Sequence, residues 1–513
     1  MREIAFSTHS KSAIRIGASY LMERLISVVG LLAMIGFAYL LSSNRKMFPF
    51  RVVVGGLILQ ILFAILILWT PPGRAAFQSV GDVFRNMIAY VDDGSRFMFG
   101  MQRESQIPIS IANQRTNKTL NLWEHEDQDR IEHLIELIKN EQSPVTITVG
   151  SNHRLVDQNA SDWEVQLKQW FLSAMASFRN DGFPRTRQLL SSFAFGVLPT
   201  IIFFSSLMSM LYYLGVMQRI VSFFAWIMQR SLGTSGAETL SAAANVFVGQ
   251  TEAPLVIRPY VSKMTQSELM AVMVGGFATI AGGVLAAYVS FGIDAGHLIT
   301  ASVISAPAAL LIAKVMQPET EHSVTMGKVD IHVDEKESNL IEAAAAGATA
   351  GMKLAINVAA MLIAFLAIIA MMNGLIGWAG SWFGFEDAQR WTLEKGLGWL
   401  FWPLAYLMGI PADDCGAAGQ LLGTKMVANE FVAYLQLGEM LEAGPQTFSP
   451  RTVTILTYAL CGFANFGSIG IQLGGIGGVA PDRRGDLARL GLRAMIGGTL
   501  AAFMTACIAG ILI

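Results

Sequence analysis

Nine stretches of this chain contain no charged residue at all: 25–42, 52–70, 188–218, 269–293, 298–313, 354–385, 396–412, 452–481 and 494–513. A helix needs about 20 mainly apolar residues to cross the hydrocarbon core of a bilayer, so most of these runs qualify as spans. The longest of them can tilt or break. The first run starts late and ends in Ser42-Ser43-Asn44-Arg45, which is not a leader-peptide cleavage pattern. Composition agrees: 14% of the 513 residues are charged, where a soluble protein carries about a quarter. The apolar content excludes a disordered chain. A net charge of -2 offers no basic field for nucleic acid. Cys415, Cys461 and Cys507 lie far apart in apolar surroundings, without zinc or disulfide spacing, and read as small core residues.

Lys and Arg bias sets the orientation. Arg45, Lys46 and Arg51 follow the first run, and Arg483, Arg484, Arg489 and Arg493 precede the last, so both loops are expected in the cytoplasm. Loops 294–297 and 439–450 carry no Lys or Arg and are expected outside. Arg2, Lys11, Arg15 and Arg24 run against this pattern. Residues 101–188 differ in kind: 22 of these 88 residues are charged, as in a water-facing folded insert, expected outside the cytoplasm. Ile131, Leu134, Ile135 and Ile138 have helical spacing, and Val145 to Val149 alternates like a strand. His125 and His133 sit among carboxylates on what reads as a solvated helix face, not a metal site. Asn117-Lys118-Thr119 and Asn159-Ala160-Ser161 match the glycosylation pattern.

The membrane part contains a duplication. Residues 224–316 run through a Gly/Ala-rich stretch to Asn245-Val-Phe-Val-Gly-Gln-Thr-Glu252, then Gly276-Phe277-Ala278-Thr279-Ile280-Ala281-Gly282, then a helix at 298–313. Residues 400–513 repeat the order with Asn429-Glu430-Phe431, Gly462-Phe463-Ala464-Asn465-Phe466-Gly467-Ser468 and a helix at 494–513. Each half thus offers an intramembrane acid on a short segment and a Gly-Phe-Ala-polar break in a long one. Paired, inverted, interrupted segments are the sequence sign of a secondary transporter with its site near the bilayer midplane. Burying Glu252 and Glu430 ionised and unpaired costs several kcal/mol each, so they are expected to face a cavity or a ligand. The only basic neighbour close in sequence is Lys425, five residues before Glu430. Gln250, Thr251, Asn465 and Ser468 add amides and hydroxyls, which suits a neutral ligand with many polar edges, such as a sugar or nucleoside.

The run Asn245 to Tyr260, the segment Asn429-Glu-Phe-Val-Ala-Tyr434 and the segment Cys461 to Ile471 resemble the signatures of the concentrative nucleoside transporter family. The resemblance covers 190–513, and more loosely the first two helices with Phe97-Met98-Phe99-Gly100; it says nothing about the insert. It implies an all-α polytopic membrane protein, with eight transmembrane helices and two re-entrant hairpins in inverted repeats, assembled as a homotrimer. The soluble α/β insert is grafted onto that plan. On this chain the expected parts are scaffold and interfacial helices at 1–100, the insert at 101–188 and a third span with connector at 189–232. The first transport repeat follows at 233–316, a cytoplasmic loop and long crossing helix at 317–396, and the second repeat at 397–513. The hairpins are expected near 234–262 and 412–438, and the broken helices at 269–293 and 452–481.

Position by position, the resemblance implies that Gln250, Thr251 and Glu252 hold the nucleobase, with Val284 lining that side. Glu430 would hold ribose hydroxyls, and Phe463, Asn465 and Ser468 line the ligand; Gly467 stands where some relatives have Ser. For a sodium coupling ion, Asn245 and Thr279 match side-chain ligands and Val248 and Ile280 match backbone carbonyl ligands. All are oxygen donors, as a hard cation requires. The expectation is a sodium symporter importing purine and pyrimidine nucleosides across the plasma membrane by alternating access. A proton-coupled symporter is the main alternative, because either acid could change protonation in a desolvated site. A channel fits less well with paired broken repeats. An enzyme is not expected, since His297 and His322 read as loop residues away from both acids and no metal or nucleophile constellation appears.

Overall fold

The computed structural model of the chain describes residues 2–99, 109–112, 117–120, 145–149, 152–156, 162–181, 197–326, 337–382, 391–444 and 447–513, with single positions at 194 and between 131 and 139. Two compact units emerge: Met1–Met87 with Thr200–Ile513, and Ile88–Pro199.

The larger unit is helical. Among the described residues six helical segments are long and apolar enough to cross a bilayer: Leu21–Leu40, Phe50–Leu68, Gln266–Ser290, Ala295–Met316, Leu340–Ser381 and Pro481–Leu512. A seventh is the pair Leu198–Tyr213 and Val216–Leu232, bent by 78°. Gly215 makes that bend at φ 72, a left-handed conformation that side chains other than glycine seldom adopt. The eighth expected span corresponds to Pro450–Leu460 and Phe466–Val479, halves of 11 and 14 residues that are each too short to cross. The helix Leu340–Ser381 begins well before the uncharged run at 354. Asn339 caps it by accepting from the Glu342 backbone N–H at 2.9 Å, and the Ala-rich stretch that follows has high helix propensity.

Both interrupted segments break where the sequence places a polar residue after Gly-Phe-Ala. The helix Gln266–Ala278 stops at Thr279 (φ -126, ψ 170) and resumes at Gly282. The helix Pro450–Leu460 stops at Cys461 and resumes after Asn465 (φ -140, ψ 164). The two breaks abut. Gly462 takes φ 141, and a Cβ there would lie 2.7 Å from the Phe277 carbonyl oxygen. The Phe463 N–H donates to the Thr279 carbonyl at 3.3 Å.

Two helix–turn–helix elements precede these breaks. The first comprises Gly236–Ala244, then Ala253–Val256 and Arg258–Val261; the second comprises Cys415–Val427 and Glu430–Ala443. All nine residues of Gly236–Ala244 are buried, and apart from Glu238 and Leu240 their side chains are small. Each element is tied at its start to the N-terminus of the interrupted segment that follows. The Ser235 hydroxyl donates to Glu268 Oε1 (2.5 Å), and the Thr452 hydroxyl donates to Asp414 Oδ2 (2.5 Å). Lys314 reinforces the first tie, with its ammonium 2.7 Å from Glu238 Oε2 and 3.3 Å from Glu319 Oε2, while it donates to the Ser267 hydroxyl at 2.9 Å.

His297 is not a loop residue. It lies in the first turn of Ala295–Met316, where Asp294 caps the helix by accepting from the His297 N–H at 2.9 Å. Helix formation therefore begins three residues earlier than the apolar run suggests. Its ring approaches the Tyr458 hydroxyl at 3.3 Å. All three cysteines are buried and free.

The smaller unit contains a four-stranded antiparallel sheet in the order β2-β1-β3-β4, with β1 Ile109–Ala112, β2 Asn117–Leu120, β3 Val145–Val149 and β4 Asn152–Val156. Pairing Val145 with Val156 puts alternate apolar residues on one face. That face packs with Leu167 and Phe171 of the helix Trp163–Asp181 and with Ile131, Leu134, Ile135 and Ile138, the residues whose spacing predicts a helix. Asn117 opens β2; His125, His133 and the pattern at 159–161 lie outside the described residues.

Candidate functional site

The tip of the first helix–turn–helix element, the N-terminus of Glu430–Ala443 and both breaks converge on one cavity. Its wall includes Gln250, Thr251, Glu252, Val284, Glu430, Phe463, Asn465 and Ser468, all eight residues expected to meet the substrate. Gly467 lines it too, as do Gly249, Asn429 and Phe431. The wall also includes a stripe of the long helix formed by Leu354, Val358, Met361 and Phe365, spaced at helical period and entirely apolar.

Local folding puts the polar groups there. Asn429 caps its helix by accepting from the Val432 N–H at 2.9 Å, which fixes Glu430 as the first helical residue. Asn465 caps Phe466–Val479 by accepting from the Ser468 N–H at 2.9 Å. Two helix N-termini thus bring unpaired backbone N–H groups and partial positive charge toward the same space. At the first tip the chain turns without regular helix between Ala244 and Ala253, and Glu252 Oε2 accepts from the Gly249 N–H at 3.3 Å. Glycines on the interrupted segments let this tip come close. A Cβ at Gly276 would lie 2.9 Å from Gln250 Cβ, and one at Gly475 would lie 2.8 Å from Thr251 Cγ2.

Neutral groups, not cations, satisfy the buried acid. Glu430 accepts from the Tyr288 hydroxyl at Oε1 and from Asn465 Nδ2 at Oε2, both at 3.1 Å. Lys425 gives its ammonium to the Ala459 carbonyl at 2.8 Å instead. Among the described residues no ion pair reaches Glu252 or Glu430, so the acids are not spent on a structural salt bridge. Gln250 Nε2 donates to the Ser468 hydroxyl at 3.1 Å, and Gln250 Oε1 accepts from Gln472 Nε2 at 3.1 Å.

The four expected cation ligands are buried beside this cavity. Asn245 is completely buried; its Nδ2 donates to the Ser241 carbonyl at 3.1 Å, and its Oδ1 has no partner among the described residues. A Cβ at Gly275 would lie 3.3 Å from Asn245 Nδ2, which sets that amide against the turn ending at Thr279. The Thr279 hydroxyl donates to the Gly275 carbonyl at 2.9 Å and keeps free lone pairs. Val248 and Ile280 lie in irregular backbone, and their carbonyls accept no other backbone N–H among the described residues. Unspent oxygens in unwound backbone are the donor set a hard monovalent cation needs. Among the described residues no cluster of His, Cys, Asp or Glu could hold a metal ion otherwise.

Sequence reasoning missed Tyr288 and Gln472, which hold the site residues, and the apolar stripe at 354–365. Gln472 had one visible signal, an amide standing alone in an otherwise apolar and Gly-rich run. Tyr288 and the stripe had none.

Comparison with known proteins accounts for most of the chain. A model described as the Na+ dependent nucleoside transporter N-terminus matches residues 29–102, one for nucleoside recognition matches 194–295, and the corresponding transporter C-terminus matches 297–510. A protein of Haemophilus influenzae named only as a transporter is 42% identical over 494 residues, covering 96% of this chain and 98% of that one. Sodium/nucleoside cotransporter 1 of Mus musculus is 37% identical over 96% of this chain. Solute carrier family 28 member 3 of Eptatretus stoutii is 39% identical, again over 96% of this chain. The chain spans 64% and 61% of the length of those two animal proteins. Among solved structures, CNTnw in an inward-facing substrate-bound state aligns with TM-score 0.73 at 40% identity, covering 95% of this chain and 97% of that one. A CNTnw variant in an outward-facing state aligns with TM-score 0.75 at 39% identity, covering 96% and 98%. With its interrupted repeats, converging acids and apolar spans, the chain belongs to the concentrative nucleoside transporter family, and it is a multi-pass membrane transporter rather than an enzyme.

Proposed function

We propose that this protein imports nucleosides by sodium symport, taking both purine and pyrimidine nucleosides, through alternating exposure of the cavity to the two sides of the plasma membrane (the inner membrane, if the source is bacterial). The observation that carries the proposal is the convergence of Gln250, Thr251, Glu252, Glu430, Asn465 and Ser468 on one cavity, with neither acid neutralised by a basic side chain among the described residues. Gln250, Thr251 and Glu252 would meet the base, with Val284 beside it. Glu430 would accept the ribose hydroxyl hydrogens, and such bonds to a carboxylate are about twice as strong as neutral ones. Phe463 would pack against the flat base. The unpaired Asn245 Oδ1 favours sodium over a proton, because a buried acceptor without a donor is costly unless a cation completes it. Thr279 would add its hydroxyl, and Val248 and Ile280 their carbonyls.

The apolar flank of Leu340–Ser381, with Ile356, Ile363 and Met371 exposed, supports contact with lipid and with neighbouring copies in a trimer. Reconstitution in vesicles with labelled uridine and adenosine, under imposed sodium or proton gradients, tests the whole reading. Uptake that ignores sodium and follows a proton gradient would replace the coupling ion. Absence of nucleoside uptake under either gradient would refute the function.

A further inference from the structure

The hydrogen-bond polarity of the site is fixed from outside the cavity. Gln472 does not line the cavity and is completely buried, one helical turn beyond Ser468. Its Nε2 donates to the Met273 backbone carbonyl at 3.0 Å and to Gln250 Oε1 at 3.1 Å. A carbonyl only accepts, so Met273 dictates that the nitrogen of the Gln472 amide lies on that side. That nitrogen's second hydrogen requires an acceptor, which forces the oxygen of Gln250 toward Gln472. The nitrogen of Gln250 is therefore turned to the Ser468 hydroxyl, 3.1 Å away. A separate set of bonds starts from a group that only donates. The Ser468 N–H goes to Asn465 Oδ1, which turns Asn465 Nδ2 onto Glu430. Two backbone groups, one in each set, thus orient the Gln472, Gln250 and Asn465 amides, and the choice of atom at each position follows from the partners and not from its shape.

We infer that Gln472 is a positioning residue that determines base specificity. By occupying the oxygen of Gln250, it leaves that amide its remaining N–H hydrogen to offer, and Ser468, which accepts from Gln250, still has its O–H hydrogen to give. The cavity then selects base edges that carry an acceptor there, so that at equal ring size a ring carbonyl is preferred over an exocyclic amine. This rests on the nucleoside reading above and adds to it the polarity of the recognised edge. Buried polar groups left mismatched discriminate strongly between otherwise similar ligands.

The test compares full-length protein with Gln472→Glu and Gln472→Met in vesicles, reading inhibition of labelled uridine uptake by unlabelled uridine and cytidine, and of labelled inosine uptake by inosine and adenosine. Glutamate presents oxygens to Gln250 and reverses its amide, so the uridine-to-cytidine preference is expected to fall about tenfold, the loss of one buried hydrogen bond. Methionine keeps the volume and removes the lock, so an intermediate preference is expected. Each preference is a ratio within one protein, so poorer folding or expression cancels. If the glutamate variant does not fold, the methionine variant decides. Preferences within twofold of wild type in the folded variants would overturn the inference. Failure of the unaltered protein to take up any nucleoside would instead refute the transport reading, before any substitution is examined.

Discussion

Replacing Tyr288 with Phe removes one oxygen from the site and leaves its packing in place. The ring is completely buried, with Phe431 edge-on at 5.6 Å and Tyr434 at 4.5 Å between centroids, and these contacts do not involve the hydroxyl. What disappears is the 3.1 Å hydrogen bond to Glu430 Oε1, one of the two side-chain donors that hold this carboxylate. A hydrogen bond to a charged group contributes about 1.5–3 kcal/mol. If Glu430 swings free without it, a ligand must reorder the carboxylate on binding, and the loss is felt as affinity at about tenfold per 1.4 kcal/mol. Tyr288→Phe is therefore expected to weaken uridine binding about 10- to 100-fold. Because the proposed role of Glu430 is to grip ribose hydroxyls, the penalty should shrink to within about twofold for 2′,3′-dideoxyuridine, which lacks the 2′ and 3′ hydroxyls and keeps only the 5′ one. Isothermal titration of purified protein with both ligands measures the difference directly. An equal loss for the two would show that Tyr288 does not act through the Glu430–ribose contact, and unchanged affinity for both would refute the positioning argument.

Three further outcomes follow from the packing. Gly276→Ala puts a methyl group 2.8 Å from Gln472 Nε2 and 2.9 Å from Gln250 Cβ, so uptake should fall at least severalfold, whereas Gly470→Ala, with no atom within 4 Å, should leave it unchanged. Asn245→Ala removes the unpartnered Oδ1, and uridine uptake should lose its sodium stimulation while binding at high uridine concentration persists; retained sodium dependence would reassign the ion site. Lys314→Met strands Glu238 as a buried acid 1% exposed, at a cost of about 3–5 kcal/mol, read as a lowered melting temperature in detergent. Adding Glu238→Leu should recover part of that loss.

The legible part of this protein is what its chemistry forces onto consecutive residues. A bilayer demands uncharged runs, and a break inside one demands glycine with a polar cap, so Thr279, Asn465 and the two acids stood out locally. The insert helix showed itself through the spacing of Ile131 to Ile138, because one face must be buried. Boundaries were less legible, since capping groups lengthen helices past the apolar run: Asp294 draws His297 into a helix, and Asn339 starts the long one at Leu340. Tyr288 and Gln472 were hidden for another reason. Their roles are defined by partners 142 and 222 residues away; a single tyrosine in a membrane helix carries no local mark of such a contact, and the lone Gln472 amide signals only that a partner is needed, not which one.

The stripe of Leu354, Val358, Met361 and Phe365 covers about 16 Å of helix, at 1.5 Å rise per residue. Every polar contact described in the cavity comes from the other elements, and this wall offers a solute nothing to let go of. A solute held by the polar elements, as proposed above, exchanges only dispersion contacts with this wall, each worth about 0.1–0.2 kcal/mol. Resistance from this wall is then nearly uniform along its length, and any preferred resting point of a solute is set by the polar elements instead. A single serine or asparagine on that stripe would act as a brake, slowing turnover without weakening the grip.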